Sequence, residues 1–242
     1  MNIDRIKIKK FSRIVSTQEY ADKMKKYGEN LIVTAEKQSG GKGTKGRSFS
    51  SEKGGVYLSS LLYYPNFPAE KSFLIMAGTC AAVCRTLEEG GLQAKIKWPN
   101  DVFVNGRKIC GILTEAVVDF ETQKLKYAIV GIGINVLNGK FPEELKNVAS
   151  NIERESGVKI NLNDLIAEII KNSENFESEI LSGKFFEEYK KRSILTGKTV
   201  RVVSGTEEFT ATVMGISDSG ALIVEKGGEL IAVNAGDVSI RF

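Results

Sequence analysis

Val102 to Val104, the dipeptide Asn105-Gly106 and the run from Lys108 to Glu115 constrain this chain more than any other stretch. Asn-Gly between two apolar runs is the strongest short-range signal for a β-hairpin with a two-residue turn. Strands joined so tightly lie antiparallel and side by side, so the fold has to be built around such a pair. The neighbouring segments supply the rest of a sheet: Leu31 to Ala35, Val56 to Tyr64, Ala94 to Trp98 and Leu125 to Val136 read as strands. The capping box Ser16-Thr17-Gln18-Glu19 opens a helix through Tyr20, Met24 and Tyr27 that Gly28 ends. Ser72 is expected to cap a helix through Leu87 that is apolar nearly all round and therefore central, with Gly90 and Gly91 stopping it. Leu162 to Leu181 and Phe185 to Arg192 read as two further helices.

From Thr196 the pattern changes to short strands with glycine turns: Thr199 to Val203, Phe209 to Ile216, Ala221 to Glu225, Leu230 to Val233 and Val238 to Arg241. The expected class is α+β: a mixed, largely antiparallel sheet with helices packed on it over residues 1–193, and a small SH3-like β-barrel over 194–242. A chain of 242 residues is long enough for one large unit and one small one. Met1 to Lys10 alternates Ile with Lys and lacks the apolar core of a signal peptide, so an amphipathic strand in a cytoplasmic protein is expected there. The longest apolar stretch, Phe73 to Cys84, is too short and broken to span a membrane.

The chemistry open to the chain is narrowed by what it lacks. It contains no histidine, which removes Ser-His-Asp and Cys-His catalysis and the usual zinc sites. Cys80 and Cys84 fall one helical turn apart in an apolar helix and, with Cys110, read as core rather than as ligands. The net charge of +4 suits phosphate-bearing small molecules or an acidic partner and is too mild to argue for nucleic acid. Carboxylates, lysines, backbone amides and a bound ion remain.

Three motifs use those groups. Lys97-Trp98-Pro99-Asn100-Asp101 holds the only tryptophan, and its proline stiffens a bend between a cation and a carboxylate, as a phosphate and its metal require. Gly41-Lys42-Gly43-Thr44-Lys45-Gly46-Arg47 satisfies a dinucleotide-binding pattern and nearly a P-loop. Both need a helix directly after the loop, and here the chain runs on into a strand. What survives is a glycine-rich, positively charged loop able to approach a ligand. Gly131, Gly133 and Asn135 share one face of a strand, as Gly111 and Glu115 do in the hairpin, and glycine within a strand points to a ligand pressed on the backbone.

Taken in this order, with Gly106-Arg107-Lys108 and Cys110-Gly111-Ile112-Leu113, these segments resemble the catalytic domain of a biotin protein ligase, from about Ser16 to Asn135. The resemblance implies a class II synthetase-like domain that joins biotin and ATP into biotinyl-5′-AMP and passes the acyl group to a lysine of a biotin carboxyl carrier domain. It also implies Lys108 and Arg47 on phosphate and carboxylate charge and Asp101 on Mg²⁺. Ser16, Thr17, Gln18 and Gln38 would lie around the biotin head, with Gly41, Lys42, Gly43 and Thr44 in a closing loop. Phe49 and Asn135 would lie near the adenine, and Gly111, Gly131 and Gly133 beneath the ligand. Where the family loop is usually richer in arginine, this chain has Lys42 and Thr44; Gln18 stands where Asn or Asp is common and Phe49 where Trp is common. A lipoate ligase or octanoyltransferase of related fold is the alternative, which Lys-Trp-Pro-Asn-Asp and Gly-Ile-Gly-Ile-Asn disfavour. Some family members add an N-terminal DNA-binding repressor domain. The fifteen or so residues before Ser16 are too few for one, so no specific DNA binding is expected, and a homodimer through sheet edges is compatible with the family pattern.

Overall fold

The computed structural model describes residues 6–137, 141, 143–146, 148–157, 159–172, 176–204, 207–235 and 238–241. Seven strands form one sheet: β1 (Lys7–Phe11), β2 (Leu31–Ala35), β3 (Gly55–Tyr63), β4 (Ala94–Lys97), β5 (Asp101–Val104), β6 (Arg107–Asp119) and β7 (Lys124–Asn135). Their order is β1-β2-β3-β7-β6-β5-β4, and every pairing is antiparallel except β1 with β2. Asn105 and Gly106 both take positive φ, 51° and 77°, as a tight turn matched to strand twist requires. The edge at β4 is covered, because Ile96 exchanges backbone hydrogen bonds with Arg192 and Ile194. Of the amphipathic strand expected over Met1 to Lys10, residues 1–5 lie outside the described residues; Lys7 to Lys10 are all exposed and only Phe11 packs inward, against Tyr20, so β1 is a lysine-rich edge.

Helix α1 (Thr17–Met24) continues as a 3₁₀ turn to Tyr27 and ends at Gly28, whose φ is +67°. Helix α2 (Phe73–Glu89) is buried along most of its length and centres the core. Ser72 does not cap it. The chain enters α2 through a 3₁₀ turn, Ala69–Lys71, which leaves Ser72 in helical geometry with no side-chain bond to the helix. The single helix expected from Leu162 to Leu181 is two. After the short α3 (Ile152–Ser156), α4 (Leu162–Lys171) stops at Asn172, and α5 (Phe176–Leu181) follows. The side chain of Asn172 is bonded to Thr86 and Glu89 of α2, which fixes the end of α4 against the core. Helix α6 (Lys184–Lys191) runs beside α2. Arg85 and Arg192 clamp the helices together through Glu188, Glu179 and Glu88, with Arg85 Nε to Glu188 at 2.8 Å and Arg192 Nη2 to Glu88 at 2.7 Å.

The second sheet holds β8 (Thr199–Ser204), β9 (Glu207–Ile216), β10 (Leu222–Lys226), β11 (Glu229–Val233) and β12 (Val238–Arg241), all antiparallel in the order β11-β10-β9-β8-β12. Its buried residues Val200, Val202, Ala211, Val213, Leu222 and Val224 belong to the same apolar cluster as α2 and the large sheet. No helix among the described residues is long and apolar enough to cross a membrane.

Candidate active site

The strand register places the glycines. Gly111 on β6 lies directly opposite Gly133 on β7, and Gly131 lies between Leu113 of β6 and Ser59 of β3. They floor an open cleft whose empty space, solvent at its mouth included, is about 500 Å³. Neighbouring side chains lie on this floor. A Cβ on Gly133 would come within 2.6 Å of the Phe49 ring, one on Gly111 within 3.2 Å of Phe49 and of Lys108 Nζ, and one on Gly131 within 2.7 Å of Gln18 Oε1. The glycines are therefore needed before any ligand arrives, to let Phe49 and Gln18 lie flat on the sheet. Ile132 and Ile134 point into the core, as the alternation requires.

One end of the cleft is a network of hydroxyls and amides at the N-terminus of α1. Ser16 accepts from the Glu19 amide at 3.4 Å, the capping role expected of it. Thr17 faces inward, donating its backbone N–H to Gln38 Oε1 at 2.7 Å and placing its hydroxyl 3.0 Å from the same oxygen and 2.8 Å from Ser59 Oγ. The other end of the Gln38 amide donates to Ser51. Gln18 donates to Glu115 at 2.7 Å and accepts from Ser59 at 3.1 Å. Each amide is thus held in one orientation by partners on both sides. Ser59 joins two of these residues, Thr17 and Gln18, and had no signal of its own in the sequence; only the β3–β7 register puts it beside Gly131.

The other end is charged. Lys97 and Asp101 face each other across the β4–β5 hairpin, and Asp101 meets Lys108 Nζ at 2.6 Å. β6 is an interior strand, and Lys108 is held on its outer side too, by backbone bonds to Val148 and Ser150, so it is no loose edge lysine. Burial pulls the Lys97 ammonium below the usual lysine range, opposed by Asp101 and reinforced by the cations Lys108 and Arg47. Asn100, to which the sequence motif gave no role of its own, lines the cleft and exchanges bonds with the backbone of Ile112.

The loop between the two ends is a compact turn. Gly43 N–H bonds to Arg47 O at 2.7 Å, Lys42 and Ser48 bridge, and Lys42 Nζ lies 3.1 Å from Glu19 on α1. Lys42, Gly43 and Thr44 line the cleft, whereas Arg47 is exposed and lies outside its lining. Gly41 is turned inward: a Cβ there would lie 2.3 Å from Ser51 Oγ, so it allows the base of the loop to close rather than a ligand to approach. Asn135 is buried at the end of β7 opposite Gly55 and does not line the cleft. Among the described residues Asp101 is the only carboxylate of the lining, and no three His, Cys, Asp or Glu side chains come together as a metal site.

Comparison with known proteins gives this geometry a context. Residues 10–135 match the Biotin/lipoate A/B protein ligase family, and residues 195–241 match the Biotin protein ligase C terminal domain. The chain is 32% identical over 221 residues to the "Bifunctional ligase/repressor BirA" of Bacillus subtilis, covering 88% of this chain and 66% of that protein. It is 26% identical over 221 residues to the "Biotin--[acetyl-CoA-carboxylase] ligase" of Mycobacterium tuberculosis, covering 87% and 79%. The solved biotin protein ligase of Aquifex aeolicus in complex with biotin and ATP superposes with a TM-score of 0.78 at 26% identity, covering 97% of this chain and 98% of that one. The chain belongs to the Biotin/lipoate A/B protein ligase family and carries that family's biotin-ligase C-terminal domain as its second unit.

Proposed function

We propose that the protein uses ATP to attach biotin to a lysine of a biotin carboxyl carrier domain, through biotinyl-5′-AMP. One observation carries this reading: a glycine-floored cleft joins a neutral network of fixed amides and hydroxyls to a charged end built on Asp101 and Lys108, with Lys97 paired to Asp101 behind it. Thr17, Gln18, Gln38 and Ser59 offer donors and acceptors for the polar head of biotin, with Ser16 holding the helix end from which Thr17 projects. Phe49, laid over Gly111 and Gly133, lines the cleft between the two ends and supplies an aromatic surface for the adenine. Lys108 neutralises charge on the reacting carboxylate and α-phosphate, and pre-positioning supplies most of the acceleration. Arg47 and Asn135 come to the ligand only if the loop and strand end close further, Arg47 from outside the lining. The second unit begins near residue 194.

A lone carboxylate does not fit a resident metal, but it suits an ion that arrives on the nucleotide, since Mg²⁺ is commonly held by one or two carboxylates plus phosphates. Asp101 would then be its protein ligand, and the ion would add neutralisation of phosphate charge. Binding of that kind has to loosen the Asp101–Lys108 pair. The location consistent with these substrates is the cytoplasm. If copies pair through sheet edges, β1 is the edge of the large sheet that no other segment among the described residues covers.

The reading is tested by incubating a carrier domain with the protein, Mg-ATP and biotin, and weighing the carrier by mass spectrometry. Addition of one biotinyl group is expected, with pyrophosphate released. No addition with biotin, or addition of lipoate instead, overturns it.

A further inference from the structure

The turn Trp98-Pro99-Asn100 joins β4 to β5 and leads into the cleft through Asn100 and Asp101. Its inner side is held by the large sheet, with Asn100 bonded to Ile112 and Asp101 to Lys108. Its outer side is held by groups from elsewhere. The Trp98 indole N–H donates to the carbonyl of Gly220 at 3.0 Å, in the turn between β9 and β10. The hydroxyl of Tyr189 on α6 donates to the carbonyl of Pro99 at 2.6 Å. Trp98 and Tyr189 are both buried, where a polar group is strongly bound to keep its partner.

Gly220 is built for this contact. Its φ is +87°, and a Cβ there would fall 2.2 Å from Cδ1 of Phe73 on α2. Phe73 in turn packs edge-on against Tyr189, with ring centroids 5.8 Å apart. The carbonyl that meets Trp98 and the hydroxyl that meets Pro99 are therefore located by the same aromatic ring. Four consecutive residues are anchored to three elements: Trp98 to the C-terminal sheet, Pro99 to α6, and Asn100 and Asp101 to β6. Such an arrangement fixes the backbone that carries Asp101 from both sides.

We propose that Trp98 and Gly220 form a clasp through which the C-terminal sheet sets the position of Asp101 and Lys108 at the charged end of the cleft. Trp98 is a positioning residue, three residues from the group it aims, and the C-terminal sheet is part of the nucleotide-handling machinery rather than an appendage. The inference rests on the functional reading above for the identity of the ligand at that end. Displacements of about an ångström at reacting groups can cost about a hundredfold in rate, so a small slackening of this turn is measurable.

The clasp predicts a split between the two ends of the cleft. Thr17, Gln38 and Ser59 hang on α1, β3 and the chain before the glycine loop, and are tied to one another rather than to the hydrogen bonds of the clasp. Trp98→Phe keeps a ring and removes the donor. It is expected to lower kcat/KM for ATP by about tenfold or more while the biotin dissociation constant, from calorimetric titration, stays within about twofold. Unchanged ATP kinetics overturn the proposal, as does biotin affinity falling in step with them, which would mark a general loosening. Should Trp98→Phe fail to fold, Gly220→Ala decides, because it keeps the chain's only tryptophan as a reporter. A red-shifted emission together with the ATP-selective loss supports the clasp; an unshifted emission, or a shift without that loss, overturns it. Emission and nucleotide titration need no turnover. If wild-type pyrophosphate release proved independent of biotin, the functional reading would fall and these two measurements would still judge the clasp.

Discussion

Lys108 shows what a residue gains from its surroundings. As a sequence position it is one lysine after a turn; in the fold its backbone is bonded on both sides and its ammonium lies 2.6 Å from Asp101, at one end of a cleft. Lys108→Ala is expected to slow adenylate formation by about a hundredfold or more, the scale of losing one preorganised charge donor. Pyrophosphate released at the wild-type rate would remove Lys108 from its role. Thr44 is the complementary case, a cleft-lining position with a neutral hydroxyl where the family resemblance leads one to expect arginine. A charge-assisted hydrogen bond exceeds a neutral one by roughly 1–1.5 kcal/mol, which is about tenfold in release rate. The nearby Lys42 is drawn to Glu19 instead, at 3.1 Å. The enzyme is therefore expected to release biotinyl-AMP, visible as AMP formed without carrier and as biotin on bystander proteins, and Thr44→Arg is expected to suppress both. Equal retention in the two forms would mean that a neighbouring lysine already supplies the charge.

Among elements, local signals were legible and long-range ones were not. The Asn105-Gly106 hairpin, the Gly28 stop and the strands at Leu31–Ala35 and Lys124–Asn135 follow from turn chemistry and alternation, which act within a few residues. The break between α4 and α5 and the uncapped start of α2 depend on what those segments pack against, and a sequence window does not contain that. The same holds at the site. Thr17, Gln38 and Lys108 stand out by motif, whereas Ser59 becomes visible only once strands are paired, and Asn100, part of a motif, gains a role only from its bonds to Ile112. The α2–α6 clamp is another long-range device, and it titrates. Hydrogen bonds from Arg85 hold the Glu188 carboxyl below the usual carboxylate range. Its folded pKa is depressed, so its contribution to stability is present above pH 4.5 and is lost as pH falls through the depressed value. Glu188→Gln is expected to cost on the order of 1–2 kcal/mol at pH 7, the pair being partly screened, and to flatten the loss of stability below pH 4.5. Melting curves of the two proteins that stay parallel from pH 7 to pH 3 would contradict this.

At the scale of the whole molecule the two units share one apolar core, in which Val200 to Val224 continue the cluster around α2 and Trp98. A shared core predicts cooperative unfolding, so calorimetry is expected to show one thermal transition; two separated transitions would mean that the units melt independently. The same core encloses Cys80, Cys84 and Cys110, all fully buried, and burial pushes each thiol above its ordinary range. The chain's three cysteines are thus silent toward maleimides and disulfide reagents while it is folded. A single cysteine introduced on an exposed strand such as β1 would be the one place where a dye, a bead or a second protein could be attached, with no native thiol to remove first.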